Sequence, residues 1–261
     1  MSVELGLKPT PREKAKNSLI FALDVASRED ALRLVEETRE YVGIYKIGLQ
    51  LFTAEGPELV RKVHDLGGAV FLDLKLHDIP ATVERASKAA VELGVQMFTV
   101  HTGEGPEIVA AAVRGVTSGR VDAKGDPGVA PTVLGVTVLT SLTEETLKRV
   151  GWGGDLPSLV MKRSTWAVDA GCPGLVCSPH EVRGLRELHG DEVTLVVPGV
   201  RPAWAQVGGD DQARKATPRE VVLWGGDHVV VGRPIRDSGD PKEAARRVHE
   251  ELEEVHTSLI R

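Results

Sequence analysis

Leu19-Ile20-Phe21-Ala22-Leu23-Asp24-Val25-Ala26 is the stretch on which the fold turns. Five consecutive apolar residues suit a strand buried on both faces, and Asp24 closes the run. A doubly wound dinucleotide-binding sheet would place a glycine-rich turn after its first strand. Asp24-Val25-Ala26 stands there instead. Ser27, with Asp30 three residues on, then reads as a helix N-cap with an acid in the first turn.

The same phrase recurs outward along the chain. Apolar runs at 44–47, 69–72, 97–100, 133–139, 174–177, 195–197 and 229–231 are each followed by a helical stretch. Val83, Ala86, Ala90 and Leu93 step at helical spacing until Gly94 stops them. The last helix opens with Asp240 at N-cap, Pro241 at the first helical position and Glu243 at the third. Ala244, Val248, Leu252, Val255 and Leu259 form its apolar stripe. Eight strand–helix units without a linker predict a single (β/α)8 TIM barrel over residues 18–261, after a polar extension at 1–17.

Composition narrows the function classes. The 261 residues carry a formal charge of −6 with no block of Lys or Arg, which argues against a nucleic-acid or membrane-surface role. Cys172 and Cys177 are separated by five extended steps, roughly 16 Å, too far for a disulfide. They read as core thiols in a reducing compartment. The run 19–23 is too short for a secretory signal, and nothing approaches a membrane span. The expected location is cytoplasmic.

What ends each run is more telling. In order these residues are Asp24, Lys46, Asp73 with Lys75, His101, Thr140 with Ser141, Ser178, Arg201 and Arg233. Active sites of barrels lie at the C-terminal ends of their strands, so these side chains mark the candidate site. Charges at such positions are costly unless paired or used.

The sharpest segment is Phe71-Leu-Asp73-Leu-Lys75-Leu-His77-Asp78-Ile-Pro80-Ala-Thr82. Residues two apart share a strand face, which sends Asp73 and Lys75 into the barrel mouth together. Asp78 follows where the strand yields to a loop, and Lys46 arrives from the neighbouring strand. The alternating order Lys46, Asp73, Lys75, Asp78 gives each lysine a carboxylate neighbour, which suits a cation and proton source better than a base. A salt-bridge cluster that merely ties two strands together explains one such pair, but four alternating charges beside a Pro-ended loop favour chemistry. His77 is assigned to packing or loop support, facing away from Asp73 and Lys75. His101 either lines the pocket or is a hydrogen-bonded core residue. No His or Cys grouping has metal-ligand spacing, and no metal is expected.

This segment resembles the Asp-x-Lys-x-x-Asp signature of orotidine 5′-phosphate decarboxylases. The resemblance continues through Phe21-Ala-Leu-Asp24-Val, Tyr45-Lys46-Ile-Gly48, Val138-Leu-Thr140-Ser141, Pro198-Gly-Val-Arg201-Pro with Asp211-Gln212, and Val231-Gly232-Arg233-Pro234. It departs at Ala81, where many members carry Asn, and in a slightly longer stretch between Arg201 and Gln212. The resemblance implies cofactor-free decarboxylation of orotidine 5′-monophosphate to UMP, with Lys75, Asp73, Lys46 and Asp78 catalytic. It further implies substrate contacts from Asp24, Lys46, Asp73, Thr82, Thr140, Ser141, Arg201, Gln212, Gly232 and Arg233. The expected assembly is a homodimer in which Asp78 enters the partner's site.

Two rival readings share these features. Magnesium-dependent sugar-phosphate decarboxylases, such as 3-keto-L-gulonate 6-phosphate decarboxylase, resemble the chain in barrel and signature. They carry an acid at the place held here by Lys46, and a cation there opposes metal binding. A non-catalytic phosphoribosyl binder would gain little from an aspartate facing an anionic ligand.

Overall fold

Eight parallel strands hydrogen-bond in chain order and close on themselves: β1 (Leu19–Ala22), β2 (Ile44–Gly48), β3 (Ala69–Leu76), β4 (Met97–His101), β5 (Thr132–Val136), β6 (Gly174–Val176), β7 (Thr194–Val197) and β8 (His228–Val231). This is a computed structural model, and it describes residues 8–119, 130–140, 142–205 and 216–260. Helix α1 (Pro11–Ser18) precedes the barrel; α2 (Arg28–Thr38) follows β1, while α3 (Leu49–Glu55) and α4 (Pro57–Asp65) follow β2. Next come α5 (Pro80–Glu92), α6 (Pro106–Gly119), α7 (Glu144–Arg149) with α8 (Leu156–Asp169), and α9 (Val182–His189). A 3-10 turn (Ala203–Ala205) and α10 (Pro218–Leu223) follow β7, and α11 (Arg233–Arg236) and α12 (Pro241–Ser258) end the chain. The expected TIM barrel is the observed fold.

Strand alternation sorts the apolar side chains into two layers. Ile20, Ala22, Ile44, Phe71, Met97, Leu134, Val196 and Val230 fill the barrel interior. Leu19, Phe21, Leu23, Tyr45, Val70, Phe98 and Leu195 face outward and bury against the helices. Each large side chain so buried contributes about 1.5–3 kcal/mol relative to exposure.

The helix signals act as their chemistry dictates. Ser27 Oγ accepts the Asp30 N–H at 3.2 Å, and Asp240 Oδ1 accepts the Glu243 N–H at 3.0 Å. Two strands differ from their apolar runs by more than one residue at an end. β3 runs on through Asp73 and Lys75 to Leu76, its charged side chains pointing into a solvated mouth. β5 stops at Val136, so Val138 and Leu139 leave the ladder and turn over the barrel opening.

The polar extension contributes a helix of its own. Residues 11–18 form α1, opened by a capping box of Thr10 and Glu13. α1 lies against the N-terminal ends of the strands, where Asn17 O meets His228 Nδ1 at 3.0 Å. A Cβ at Gly43 would come within 2.5 Å of Lys16 O, so glycine is what allows this approach. That places α1 at the end of the barrel opposite the candidate site. Both cysteines are buried and unpaired. Among the described residues no helix is long and apolar enough to cross a membrane.

Candidate active site

Four charges from three adjacent strands form one continuous row at the C-terminal mouth. Asp24 follows β1, Lys46 lies on β2, and Asp73 and Lys75 lie on β3. Lys46 Nζ is 3.1 Å from Asp24 Oδ1 and 3.6 Å from Asp73 Oδ2. Lys75 Nζ donates to Asp73 Oδ1 at 2.8 Å. Charge therefore alternates along the row, and each ammonium lies against at least one carboxylate. Lys46 and Asp73 are 13% and 14% exposed, and Lys75, at 38%, is the more open of the two lysines. Pairing of this kind offsets the cost of withdrawing charge from water.

The row separates two spaces. An outer cleft of about 500 Å³ is lined by Asp24, Lys46, Asp73, Lys75, His77 and His101 among others. An inner chamber of about 210 Å³ shares Lys46, Asp73, Lys75 and Leu139 with it, but is otherwise walled by Phe71, Val136, Val138, Val176, Val196, Pro198, Val230 and Thr140. A flat apolar ring with one polar edge fits such a chamber, with the charges along its rim.

Lys75 is the one non-glycine among the described residues with a positive φ, 51°. The β3–β4 ladder is irregular at this place. Leu72 pairs with Phe98 and Leu76 with Val100, so Asp73, Leu74 and Lys75 all stand opposite the single residue Thr99. Such bulges re-aim side chains and often neighbour active sites. Thr99 escapes notice in the sequence, since a β-branched residue inside an apolar run reads as ordinary strand.

The histidines depart from expectation. His77 faces the same cleft as Lys75, because it continues the row of alternate residues that begins at Asp73. Its ring stacks on His101, with centroids 5.0 Å apart, and its Nε2 pairs with Glu104 Oε2. His101 also lines the cleft, and its Nδ1 accepts the Gly103 N–H at 3.0 Å. Burial above all, then the charges of His77 and Arg163, hold His101 below the ordinary histidine range, with Glu104 opposing.

The strand-8 end belongs to the same rim. A Cβ at Gly232 would lie 3.7 Å from Asp24 Oδ2, which puts the start of α11 beside the charged row. Arg233 is exposed there. Arg236, unremarked in the sequence, donates through Nη1 to Asp24 O at 2.8 Å and pairs with Asp237. Arg201 is partly buried just after β7, with its N–H bonded to Ala216 O at 3.0 Å. Thr140 lines the inner chamber. Ser141 and Gln212 lie outside the described residues.

Asp78 and Thr82 stand apart from this cluster. Asp78 is exposed, its Oδ1 accepts the Ile79 N–H at 2.6 Å, and it pairs with neither Lys46 nor Lys75. Thr82 sits in the first turn of α5, its N–H bonded to Ile79 O at 3.0 Å. Neither lines the two spaces. Ile79, next to Asp78 in the chain, is 66% exposed, and Leu49, the first residue of α3, is 63% exposed.

Comparison with known proteins is consistent along nearly the whole chain. The family model described as orotidine 5′-phosphate decarboxylase / HUMPS family matches residues 17–248. An orotidine 5′-phosphate decarboxylase from Anaeromyxobacter sp. (strain K) is 48% identical over 90% of this chain and 98% of its own. One from Syntrophotalea carbinolica is 46% identical over 92% of this chain and 96% of its own. Among solved structures, orotidine 5′-phosphate decarboxylase from Lactobacillus acidophilus superposes with a TM-score of 0.79 at 32% identity, covering 90% of this chain and 99% of that one.

Proposed function

The chain belongs to the orotidine 5′-phosphate decarboxylase / HUMPS family, and from that premise we propose that it converts orotidine 5′-monophosphate to UMP and CO2 with its own side chains alone. The observation that carries this reading is the row Asp24–Lys46–Asp73–Lys75 along the rim of an apolar chamber. The pyrimidine enters the chamber with its C6 carboxylate toward Asp73 and Lys75. Loss of CO2 breaks the C6–carboxylate bond and leaves its electron pair on C6. The Lys75 ammonium then gives that carbon a proton.

Two electrostatic effects act at this place. Unit charges 4 Å apart repel by about 4 kcal/mol at an effective dielectric of 20, so Asp73 opposes the bound carboxylate and ceases to do so as neutral CO2 departs. The attraction between Lys75 and the developing carbanion grows over the same interval. Stabilisation by a pre-placed cation is the larger share of this argument. Asp24 serves the ribose side of the substrate and Lys46 completes the catalytic row beside Asp73, while Arg201, Gln212, Gly232 and Arg233 take the phosphate. An arginine grips two phosphate oxygens at once, and the loops after strands 7 and 8 of a barrel are its usual phosphate site. Phosphate binding far from the reacting carbon helps to organise the site for reaction.

A metal-dependent sugar-phosphate reaction is disfavoured by Lys46. Its ammonium stands between the Asp24 and Asp73 carboxylates, where a divalent cation would otherwise draw its oxygen ligands. The proposed assembly is a homodimer. Exposed Ile79 and Leu49 supply apolar surface for it, and Asp78, which pairs with neither lysine of its own chain, reaches the partner's cleft.

The test is to supply orotidine 5′-monophosphate in the presence of EDTA and follow UMP. Sustained turnover under chelation is expected. Tight binding of UMP analogues without CO2 release, or activity that EDTA abolishes and magnesium restores, defeats the reading.

A further inference from the structure

We propose that Thr99 is a positioning residue for the decarboxylation: its hydroxyl holds Lys75 in the left-handed backbone conformation that keeps the lysine ammonium against Asp73. The proposal deepens the decarboxylase reading above and rests on it for the role of Lys75.

Where three residues of β3 face one of β4, the register provides no regular backbone partner for each of the three. Thr99 Oγ1 accepts the Lys75 N–H at 2.8 Å and donates its own proton to Asp73 Oδ1 at 3.1 Å. One hydroxyl thus satisfies a backbone donor left over by the bulge and also fixes the carboxylate. That carboxylate oxygen is the same one that receives Lys75 Nζ, at 2.8 Å. The result is a closed ring of contacts: Lys75 backbone to Thr99, Thr99 to Asp73, Asp73 back to the Lys75 ammonium.

The ring has work to do because Lys75 adopts a φ of 51°, which is sterically costly for a side chain with a Cβ. Behind β3 lies an apolar space of about 190 Å³, lined by Leu72, Leu74 and Leu76, into which the bulge can relax. Thr99 itself is 1% exposed, in a place where valine would have the same shape. The hydroxyl is therefore the feature that pins the bulge, and losing it leaves the Lys75 N–H without its acceptor.

The experiment compares Thr99→Val with Thr99→Ser, by steady-state kinetics with orotidine 5′-monophosphate and by crystallography of both variants. Misplacement of a reacting group by about 1 Å costs on the order of 10²-fold, so T99V is expected to lose about that much in kcat. KM should stay within about threefold, because the phosphate and ribose contacts are untouched. T99S keeps the hydroxyl and should stay within about threefold of the wild type in kcat. The T99V crystal structure should show Lys75 outside the left-handed region and its Nζ withdrawn from Asp73. A T99V enzyme with unaltered kcat, or a T99S enzyme as slow as T99V, overturns the proposal. So does a T99V structure in which Lys75 keeps its φ and its contact with Asp73. That structural result decides the positioning claim even if the wild type proves inert toward orotidine 5′-monophosphate, a failure that would count against the decarboxylase reading alone.

Discussion

Lys75 Nζ lies 2.8 Å from Asp73 Oδ1, although a single leucine separates the two residues on one strand. Strand geometry puts them on the same face, and the left-handed turn at Lys75 brings the ammonium back onto the carboxylate. The proton donor is thereby held by the group that repels the leaving carboxylate. When CO2 has gone, the ammonium is still in place and the new charge on C6 has replaced the old one as its partner.

Removing that ammonium should be close to fatal for activity and harmless to the fold. Lys75→Ala deletes both the proton source and the cation facing the carbanion, effects worth about 10²–10⁴-fold and 10²–10³-fold respectively. Loss of kcat/KM by at least about 10³-fold is expected. Lys75→Arg should not rescue it, because a guanidinium releases its proton far less readily than an ammonium. UMP formation and circular dichroism on the same samples check both halves. Ready turnover by either variant would remove Lys75 from the mechanism.

Asp78 makes a prediction that depends on the partner subunit. Lys75→Ala and Asp78→Ala homodimers should each be nearly inactive. If Asp78 completes the neighbour's site, a mixed dimer contains one intact site and one doubly damaged one. Random exchange at equal concentrations makes half of the dimers mixed, so about a quarter of wild-type activity should return. Absence of recovery, with subunit exchange shown independently by labelled chains, would place Asp78 outside the partner's site.

How far the sequence reached can be seen from β3. The apolar runs announced eight strands, and the residue that ended each run announced the mouth, because strand ends and barrel sites coincide. Asp24, Lys46, Asp73 and Lys75 do meet there. The irregular ladder at Lys75 was invisible, since period-two patterning fixes which face a side chain takes and says nothing of register with the next strand. Thr99 and Arg236 act through hydrogen bonds to residues distant in sequence, and nothing local to either marks them. His77 was assigned to the wrong side although its spacing from Lys75 already put it in the cleft.

Acid should weaken the fold before it affects the carboxylates. Burial holds His228 and His249 below the ordinary histidine range. The bonds from their Nδ1 atoms to Asn17 O and Tyr41 O suit the neutral ring as donor. A base whose folded-state pKa is lowered takes up protons more readily when unfolded. Stability is then fully present above the unfolded value of about 6.5 and declines as pH falls below it, by at most about 1.4 kcal/mol per pH unit for each such group. The urea midpoint should therefore drop between pH 7.5 and 5.5, and His249→Gln should flatten the slope. A midpoint that rises on acidification would contradict this assignment.

Arg163 ties two walls of the site together and should matter to both stability and binding. It lies on α8, 6% exposed, and its Nη1 donates to Thr137 O at 2.7 Å while Nη2 reaches Gly103 O at 3.4 Å. Its guanidinium stacks over Trp152, 4.8 Å from the ring centre. Gly103 is the residue whose N–H is bonded to His101, and Thr137 begins the segment that carries Val138, Leu139 and Thr140 over the chamber. Arg163→Met preserves much of the volume but removes the charged donor that both carbonyls share. A loss of about 2–3 kcal/mol is expected. KM should rise, because the chamber wall loosens, while kcat falls less, since the Lys75–Asp73 contact is made on another strand. Arg163→Lys should recover only part of both, as an ammonium does not present the planar fork that spans the two loops. Urea unfolding and steady-state kinetics on the two variants separate the effects. If Arg163→Met matched the wild type in midpoint and in KM, the two loops would have to be held by their own packing against Trp152 and the barrel.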